Sequence, residues 1–135
     1  MVVGAFDGIA IASDSDQNIW ALTAGSSNKI VIHEFELTSN AVAASILDIT
    51  LRRETGAAAG DAVTEELLDE DDGAITGTMI TEDTTPGTSD GVIAAWQWEQ
   101  LGSLIWRPTP GGRLVLQESG IVTLHLGTAA TPTGS

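Results

Sequence analysis

The chain has 135 residues, and its nineteen acidic and five basic residues give a formal net charge of −14. This length suits a single domain with a real core, while the lack of cysteine excludes disulfides, thiolate metal sites and a cysteine nucleophile. The five basic residues are scattered and no apolar run approaches the roughly 18 residues of a membrane span, so we expect neither direct nucleic-acid binding nor membrane insertion.

Short apolar runs separated by Gly, Pro, Asp, Ser and Thr clusters predict β-strands in the first half of the chain. The segments are Gly8 to Ser13, Ile19 to Ala24, Lys29 to Thr38 and Ile46 to Arg53. Alternation in the last of these predicts that Leu47, Ile49 and Leu51 point inward. In the strand from Lys29 it places one set of side chains on a common face: Val31, His33, Phe35 and Leu37.

The second half begins with Thr64 to Asp72, which we expect to be a helical turn or a solvated loop, and contains a long surface loop from Glu82 to Gly91. Strands are predicted over Ala74 to Thr81, Val92 to Leu101, Leu104 to Trp106, Arg113 to Gln117 and Ile121 to Leu126. The last two of these read as a hairpin, because only the turn Glu118-Ser119-Gly120 separates them.

Together these segments predict an all-β protein, an antiparallel β-sandwich or jelly roll of about eight to ten short strands. Residues 1–127 would form the single domain. The segment 128–135 lacks an apolar anchor, so we expect a flexible tail that is mobile or docks on a neighbour.

The sequence gives little support for a catalytic site. His33 and His125 both lie in predicted strands, and no phosphate-binding glycine motif of the Walker or Rossmann type occurs. Each histidine is therefore expected to be a sheet residue with a satisfied partner. The sequence predicts a protein that is not an enzyme and needs no cofactor.

The acidic segment 69–73 is a weak candidate for calcium, because hard cations bind clustered carboxylates on flexible loops. The candidate ligands are Asp69, Asp71 and Asp72. Their spacing is not that of an EF-hand, and charge runs usually face water, so a solvated acidic loop is the simpler interpretation. A calcium-stabilised adhesion domain stays open as a third reading.

Trp96 and Trp98 fall on one face of a predicted strand. Such a pair can stack on sugars, as in carbohydrate-binding β-sandwiches, or it can belong to the core or to a subunit interface. A carbohydrate-binding module, on a phage fibre or in a secreted protein, is therefore the main alternative function.

Four stretches taken in order carry a resemblance to a known family: KIVIHEFEL (29–37), SILDITLRRETG (45–56), AAWQWEQLG (94–102) and IWRPTPGGRLVLQ (105–117). They resemble the small jelly-roll proteins that decorate or cement the capsids of tailed bacteriophages. The resemblance implies a virion structural protein on the outer capsid surface. It would act as a homotrimer that binds the major capsid protein and strengthens contacts between capsid subunits.

An oligomer of this kind needs apolar surface to bury between copies or against the shell. The candidate interface residues are the three tryptophans of the later strands and the two prolines that follow them: Trp96, Trp98, Trp106, Pro108 and Pro110.

Overall fold

The structure is a computed structural model that describes residues 2–4, 16–39, 46–56, 60–67 and 77–127. In these ranges the chain forms twelve strands and no helix. The strands of the first half are β1 (Val2–Gly4), β2 (Gln17–Ala24), β3 (Ile30–Ile32), β4 (Phe35–Leu37), β5 (Ile46–Thr55) and β6 (Asp61–Val63). Those of the second half are β7 (Glu65–Leu67), β8 (Gly77–Asp83), β9 (Thr88–Glu99), β10 (Leu104–Trp106), β11 (Leu114–Leu116) and β12 (Ile121–Leu126).

The main layer is a six-stranded sheet with the order β6-β8-β2-β12-β5-β9. Every neighbouring pair in it is antiparallel. The strand β12 lies at the centre, between β2 and β5, although it follows all the other strands in the sequence. The predicted antiparallel all-β class is therefore confirmed. A β-sandwich is compatible with these pairings, which do not establish the strand order of a jelly roll.

A second layer is built from two short antiparallel ladders, β3 with β11 and β4 with β10. Both ladders are formed by the same two segments of the chain, 30–37 and 104–116. Ile32 lies opposite Leu114 in one ladder, and Phe35 lies opposite Trp106 in the other. A third ladder joins β1 to β7.

The apolar core forms between the six-stranded sheet and the two short ladders. Alternate residues of the central strands supply one side: Leu47, Ile49, Leu51, Val122, Leu124 and Leu126. The short ladders supply the other: Leu37, Leu104, Leu114 and Leu116. Arg53 links the layers, because its Nη2 donates to the Val115 carbonyl oxygen at 3.2 Å.

The strand predicted from Lys29 to Thr38 is broken between β3 and β4. Ile30 and Ile32 pack on the core before the break, as do Phe35 and Leu37 after it, while Val31 is exposed. The two residues at the break, 33 and 34, shift the alternation by one position. The expectation that Val31 shares a face with Phe35 was therefore wrong.

The predicted hairpin between the last two strands was also wrong. The strand β11 pairs with β3 in the second layer, whereas β12 pairs with β2 and β5 in the main sheet. The turn between them carries the chain from one layer to the other, and it is closed by the Gly120 N–H, which donates to the Gln117 carbonyl at 2.9 Å. A short turn can join two layers as well as two neighbouring strands, and the local sequence does not distinguish the cases.

Two predicted loops differ from the structure. Glu65–Leu67 is the strand β7 and not a helical turn or loop, because β1 supplies it with a pairing partner. The loop expected from Glu82 to Gly91 shrinks to residues 84–87, since β8 runs to Asp83 and β9 begins at Thr88. The strands predicted over 19–24 and 46–53 are confirmed, and the strand predicted over 92–101 is confirmed as far as Glu99, after which the chain turns. The segments 8–13 and 128–135 lie outside the described residues.

Candidate interaction surface

Exposed apolar side chains concentrate in one stretch of the chain. Of the five large hydrophobic residues that are exposed in the described ranges, four lie between residues 92 and 105. They are Val92 at 60 % exposure, Ile93 at 38 %, Leu101 at 56 % and Ile105 at 51 %. Single exposed apolar residues are ordinary, but four of them within fourteen residues make this stretch the candidate for binding a partner.

The strand β9 forms one edge of the six-stranded sheet and bulges at Ile93. Leu51 of β5 pairs with Ala94 and Arg52 pairs with Val92, so Ile93 has no pairing partner on β5. A bulge of this kind turns a side chain out of the regular alternation, and it also discourages a further strand from adding to the edge. In this chain the bulge places Ile93 in the lining of a surface groove.

The groove has a volume of about 300 Å³ and lies between β9 and the connection from β10 to β11. Its lining combines apolar side chains with two cations: Ile93, Trp106, Pro108, Leu114, Arg107 and Arg113. Apolar lining with a few placed polar groups is the usual composition of a binding site.

One wall of the groove is the segment 107–113, which connects β10 to β11. In the strands that pair with them, only residues 33 and 34 connect β3 to β4. The Gly112 N–H donates to the Thr109 carbonyl at 2.8 Å and closes a turn within this wall. Gly111 has a φ of 86°, a conformation that favours glycine, and its Cβ position is open. The Pro-Thr-Pro-Gly-Gly sequence therefore forms a hydrogen-bonded turn in this wall.

The two cations of the groove differ in their partners. Arg107 forms an exposed ion pair with Glu34. Arg113 forms no hydrogen bond or ion pair within the part of the chain that the structure describes. The guanidinium of Arg113 is therefore the charge that this groove offers to a partner.

Behind the groove, an aromatic cluster supports Trp106. Its ring stacks on Phe35 with centroids 5.8 Å apart and an interplanar angle of 18°. Phe35 in turn meets Trp96 edge-on at 6.0 Å and Trp20 edge-on at 5.6 Å. Because these contacts fix both sides of Phe35, Trp106 presents a rigid surface to the groove.

A second exposed feature is the turn between β9 and β10, which carries Leu101. The Gly102 N–H donates to the Glu99 carbonyl at 3.0 Å, and the indole Nε1 of Trp98 donates to the Gly102 carbonyl at 3.0 Å. Trp98 itself is only 5 % exposed. The buried tryptophan therefore anchors the turn that holds Leu101 in water.

The structure distributes the five predicted interface residues over different environments. Trp106 and Pro108 are half-buried and meet in the groove, Pro110 is exposed in its wall, Trp96 lies half-buried behind it, and Trp98 is buried beneath the turn. Trp96 and Trp98 both face the core, opposite Ile49 and Leu47, so they do not form an open platform for a sugar.

Sequence reasoning missed Ile93 and Arg113. Ile93 joins the groove through a bulge that depends on pairing between β5 and β9, and no local signal reveals such a bulge. Arg113 stands next to the strand-forming run at 114–116, where the sequence shows only one of five scattered basic residues.

The outward face of the six-stranded sheet carries a buried polar network centred on Glu54. Its Oε1 accepts hydrogen bonds from Asn18 Nδ2 at 3.1 Å and from the Gly87 N–H at 2.9 Å. Its Oε2 accepts from Arg52 Nε at 2.9 Å and from Thr123 Oγ1 at 2.8 Å. Burial alone raises the pKa of Glu54, but these four hydrogen bonds outweigh it and hold the pKa below 4.5.

Asp83 is the second carboxylate of this network. Its Oδ2 accepts from Asn18 Nδ2 at 2.9 Å, and its Oδ1 accepts from the Thr85 N–H at 3.0 Å. Asn18 thus bridges two buried acids. Together, Glu54 and Asp83 hold the 84–87 loop through Gly87 and Thr85.

His125 completes the network. Since the Asn18 amide nitrogen serves the two carboxylates, its Oδ1 faces His125 Nδ1 at 3.0 Å and must accept, so the proton of the neutral ring lies on Nδ1. Nε2 lies 3.5 Å from the exposed Asp16. Burial, with the nearby Arg52 charge, lowers the pKa of His125 below 6.5 even though Asp16 and Glu54 oppose the shift.

The fully buried polar atoms of this network are all engaged within the chain. Within the described ranges every buried side-chain nitrogen and oxygen has a hydrogen-bond partner, so the two acids are satisfied by the chain itself. The expectation that His125 is a partnered sheet residue is confirmed, whereas His33 lies exposed between β3 and β4.

The predicted calcium ligands Asp69, Asp71 and Asp72 lie outside the described residues. Elsewhere, in the ranges that the structure covers, no three His, Cys, Asp or Glu side chains are arranged to hold a metal ion. No described helix is long and apolar enough to cross a membrane.

Comparison with known proteins gives no match. No known family fits the sequence, and neither a curated protein nor a solved structure is significantly similar to it.

Proposed function

We propose that this chain is a virion structural protein, a capsid decoration or cement protein that binds the outer capsid surface as an oligomer and strengthens contacts between capsid subunits. The observation that carries the proposal is the concentration of exposed apolar residues between 92 and 105, one of which, Ile93, lines a surface groove. Burying such a surface stabilises the association of two proteins.

The surroundings of this stretch also favour a binding role over a catalytic one. The buried network is satisfied internally, and the groove offers mainly apolar side chains with one unpaired guanidinium. The resemblance in residues 105–117 coincides with the groove wall. The stretch whose sequence suggests this resemblance therefore lies close in the chain to exposed apolar residues, which supports the proposal.

Co-sedimentation with shells assembled from the cognate major capsid protein tests this proposal. The wild-type chain is expected to pellet with the shells and to raise their melting temperature. A double variant, Val92→Asp with Ile105→Asp, places charges on two of the most exposed apolar sites and is expected to stay in the supernatant. Val31→Asp is the matched control, because Val31 is exposed but lies outside residues 92–105.

Two results would contradict the proposal. One is a wild-type chain that remains in the supernatant at every shell concentration. The other is a double variant that pellets as well as Val31→Asp does, since binding would then not use the exposed apolar stretch.

A further inference from the structure

We propose that the groove receives Leu101 from a second copy of this chain, with the Glu99 carboxylate of that copy beside Arg113. This inference rests on the oligomer in the proposed function and assigns the contact that builds it.

The turn between β9 and β10, which would enter the groove of the second copy, projects from the chain in a preformed shape. Leu101 is 56 % exposed at the tip of the turn between β9 and β10, with the exposed Glu99 close to it in sequence. The hydrogen bonds of Gly102 and of the buried Trp98 already fix this turn. Little conformational freedom is therefore lost when Leu101 enters a partner, which favours association.

The acceptor side has matching chemistry. Ile93, Trp106 and Pro108 give the groove an apolar lining, and its volume of about 300 Å³ leaves room for a leucine side chain together with a neighbouring carboxylate. Trp106 is held in place by its stacking on Phe35. Aromatic and arginine side chains around a central pocket are the residues that most often dominate binding energy.

Charge and lining together favour this groove as the contact site. Two copies that each carry a net charge of −14 repel one another, so a contact between them is favoured where a cation meets a carboxylate. Arg52 and Arg107 already have carboxylate partners, and Arg53 binds a carbonyl oxygen. Among the described cations this leaves Lys29 and Arg113, and only Arg113 lines the groove.

The projection and the groove are separate patches. Ile93 and Glu99 are six residues apart on β9, a span of roughly 20 Å in an extended strand. One copy therefore uses different surfaces to give and to receive. Such a heterologous contact closes into a ring when the rotation between copies permits it, and a homotrimer is a ring of this kind.

The test is the molar mass in solution, measured by light scattering over a hundredfold range of protein concentration. Arg113→Glu and Glu99→Arg each place like charges at the contact and are expected to weaken association at least tenfold. The double variant, Glu99→Arg with Arg113→Glu, restores opposite charges and is expected to recover most of the association. Lys29→Glu is the matched control and is expected to leave the mass unchanged.

The charge reversal also guards against misfolding, because a double variant that reassembles must be folded. A wild-type chain that is monomeric throughout the range overturns the inference. So does an oligomer whose mass is the same in Arg113→Glu as in the wild type, or a double variant that associates no better than the two single variants.

Shell co-sedimentation separates this inference from the proposed function. If Arg113→Glu keeps the wild-type mass and the wild-type chain pellets with shells, only the assigned contact fails. If the charge pair controls the mass but the wild-type chain ignores shells, only the capsid role fails.

Discussion

The two faces of the six-stranded sheet both carry buried side chains, but different interactions hold those side chains in place. On the core face, Leu51 and Leu124 are fully buried among other apolar side chains. On the opposite face, Asn18, Glu54 and Asp83 are buried almost as completely within a hydrogen-bond network. Apolar packing tolerates small changes of shape, whereas a buried polar group that loses its partner retains the full cost of its desolvation.

The largest effect is expected from a cavity on the core face. Leu124→Ala removes a fully buried side chain from the central strand β12 and should lower the free energy of unfolding by about 3 to 4 kcal/mol. Val92→Ala, on the exposed part of β9, is the control and should change it by less than about 0.5 kcal/mol. Urea denaturation measures both. Equal losses in the two variants would show that β12 does not lie in the core.

On the polar face, Glu54→Ala should cost nearly as much, about 3 kcal/mol, because it leaves the donors of Asn18, Thr123 and Gly87 without their acceptor. The same denaturation experiment on Glu36→Ala, which removes an exposed carboxylate, supplies the control. The comparison between the faces breaks down if the two glutamate variants are equally stable.

A glycine substitution in the 84–87 loop tests how strongly the polar network holds this loop in place. In Gly87→Ala the new Cβ would collide with the Thr55 carbonyl oxygen, which belongs to a paired strand. The loop must shift, and the Gly87 bond to Glu54 weakens, so we expect a loss of about 2 kcal/mol. Gly102→Ala, with no atom nearer than 3.6 Å, should be milder. Thermal melting ranks the two, and the reverse order would contradict the loop placement.

A smaller effect is expected from acid, through two groups of the polar face. His125 and Glu54 both have a lowered pKa in the folded chain, so the unfolded chain binds protons more readily than the folded chain. The free energy of unfolding therefore decreases as the pH is lowered. The decline should begin below pH 6.5 through His125 and continue below pH 4.5 through Glu54. Denaturation curves between pH 8 and pH 4 follow it.

The variant His125→Gln separates the two stages of that decline. Glutamine can still donate to Asn18 but does not titrate, so the loss that begins below pH 6.5 should disappear and the loss below pH 4.5 should remain. An unchanged profile in this variant would remove His125 from the explanation.

The sequence predicts the strands whose pattern is local. The alternation of Leu47, Ile49 and Leu51 identifies both the strand β5 and its buried face. The same reasoning is wrong at Val31, because the break at residues 33 and 34 reverses the faces, and only the pairing of β3 with β11 and of β4 with β10 reveals it.

The candidate surface depends even more on distant pairing. Trp106 and Pro108 are visible in the sequence as large apolar residues, and both reach the groove. Ile93 joins them through a bulge against β5, and Asn18, Asp83 and His125 meet although they belong to three separate strands. Polar residues within apolar runs carry no local mark of such a network.

The central position of β12 has a consequence for biosynthesis. Residues 121–126 are the last strand in the described chain, yet they fill the space between β2 and β5. Until β12 has been synthesised, no strand connects β2 to β5, and the edges of β2 and β5 that face β12 in the finished sheet stay unpaired. The sheet therefore closes late, and a chain truncated before residue 121 is expected to be captured by chaperones or degraded by proteases.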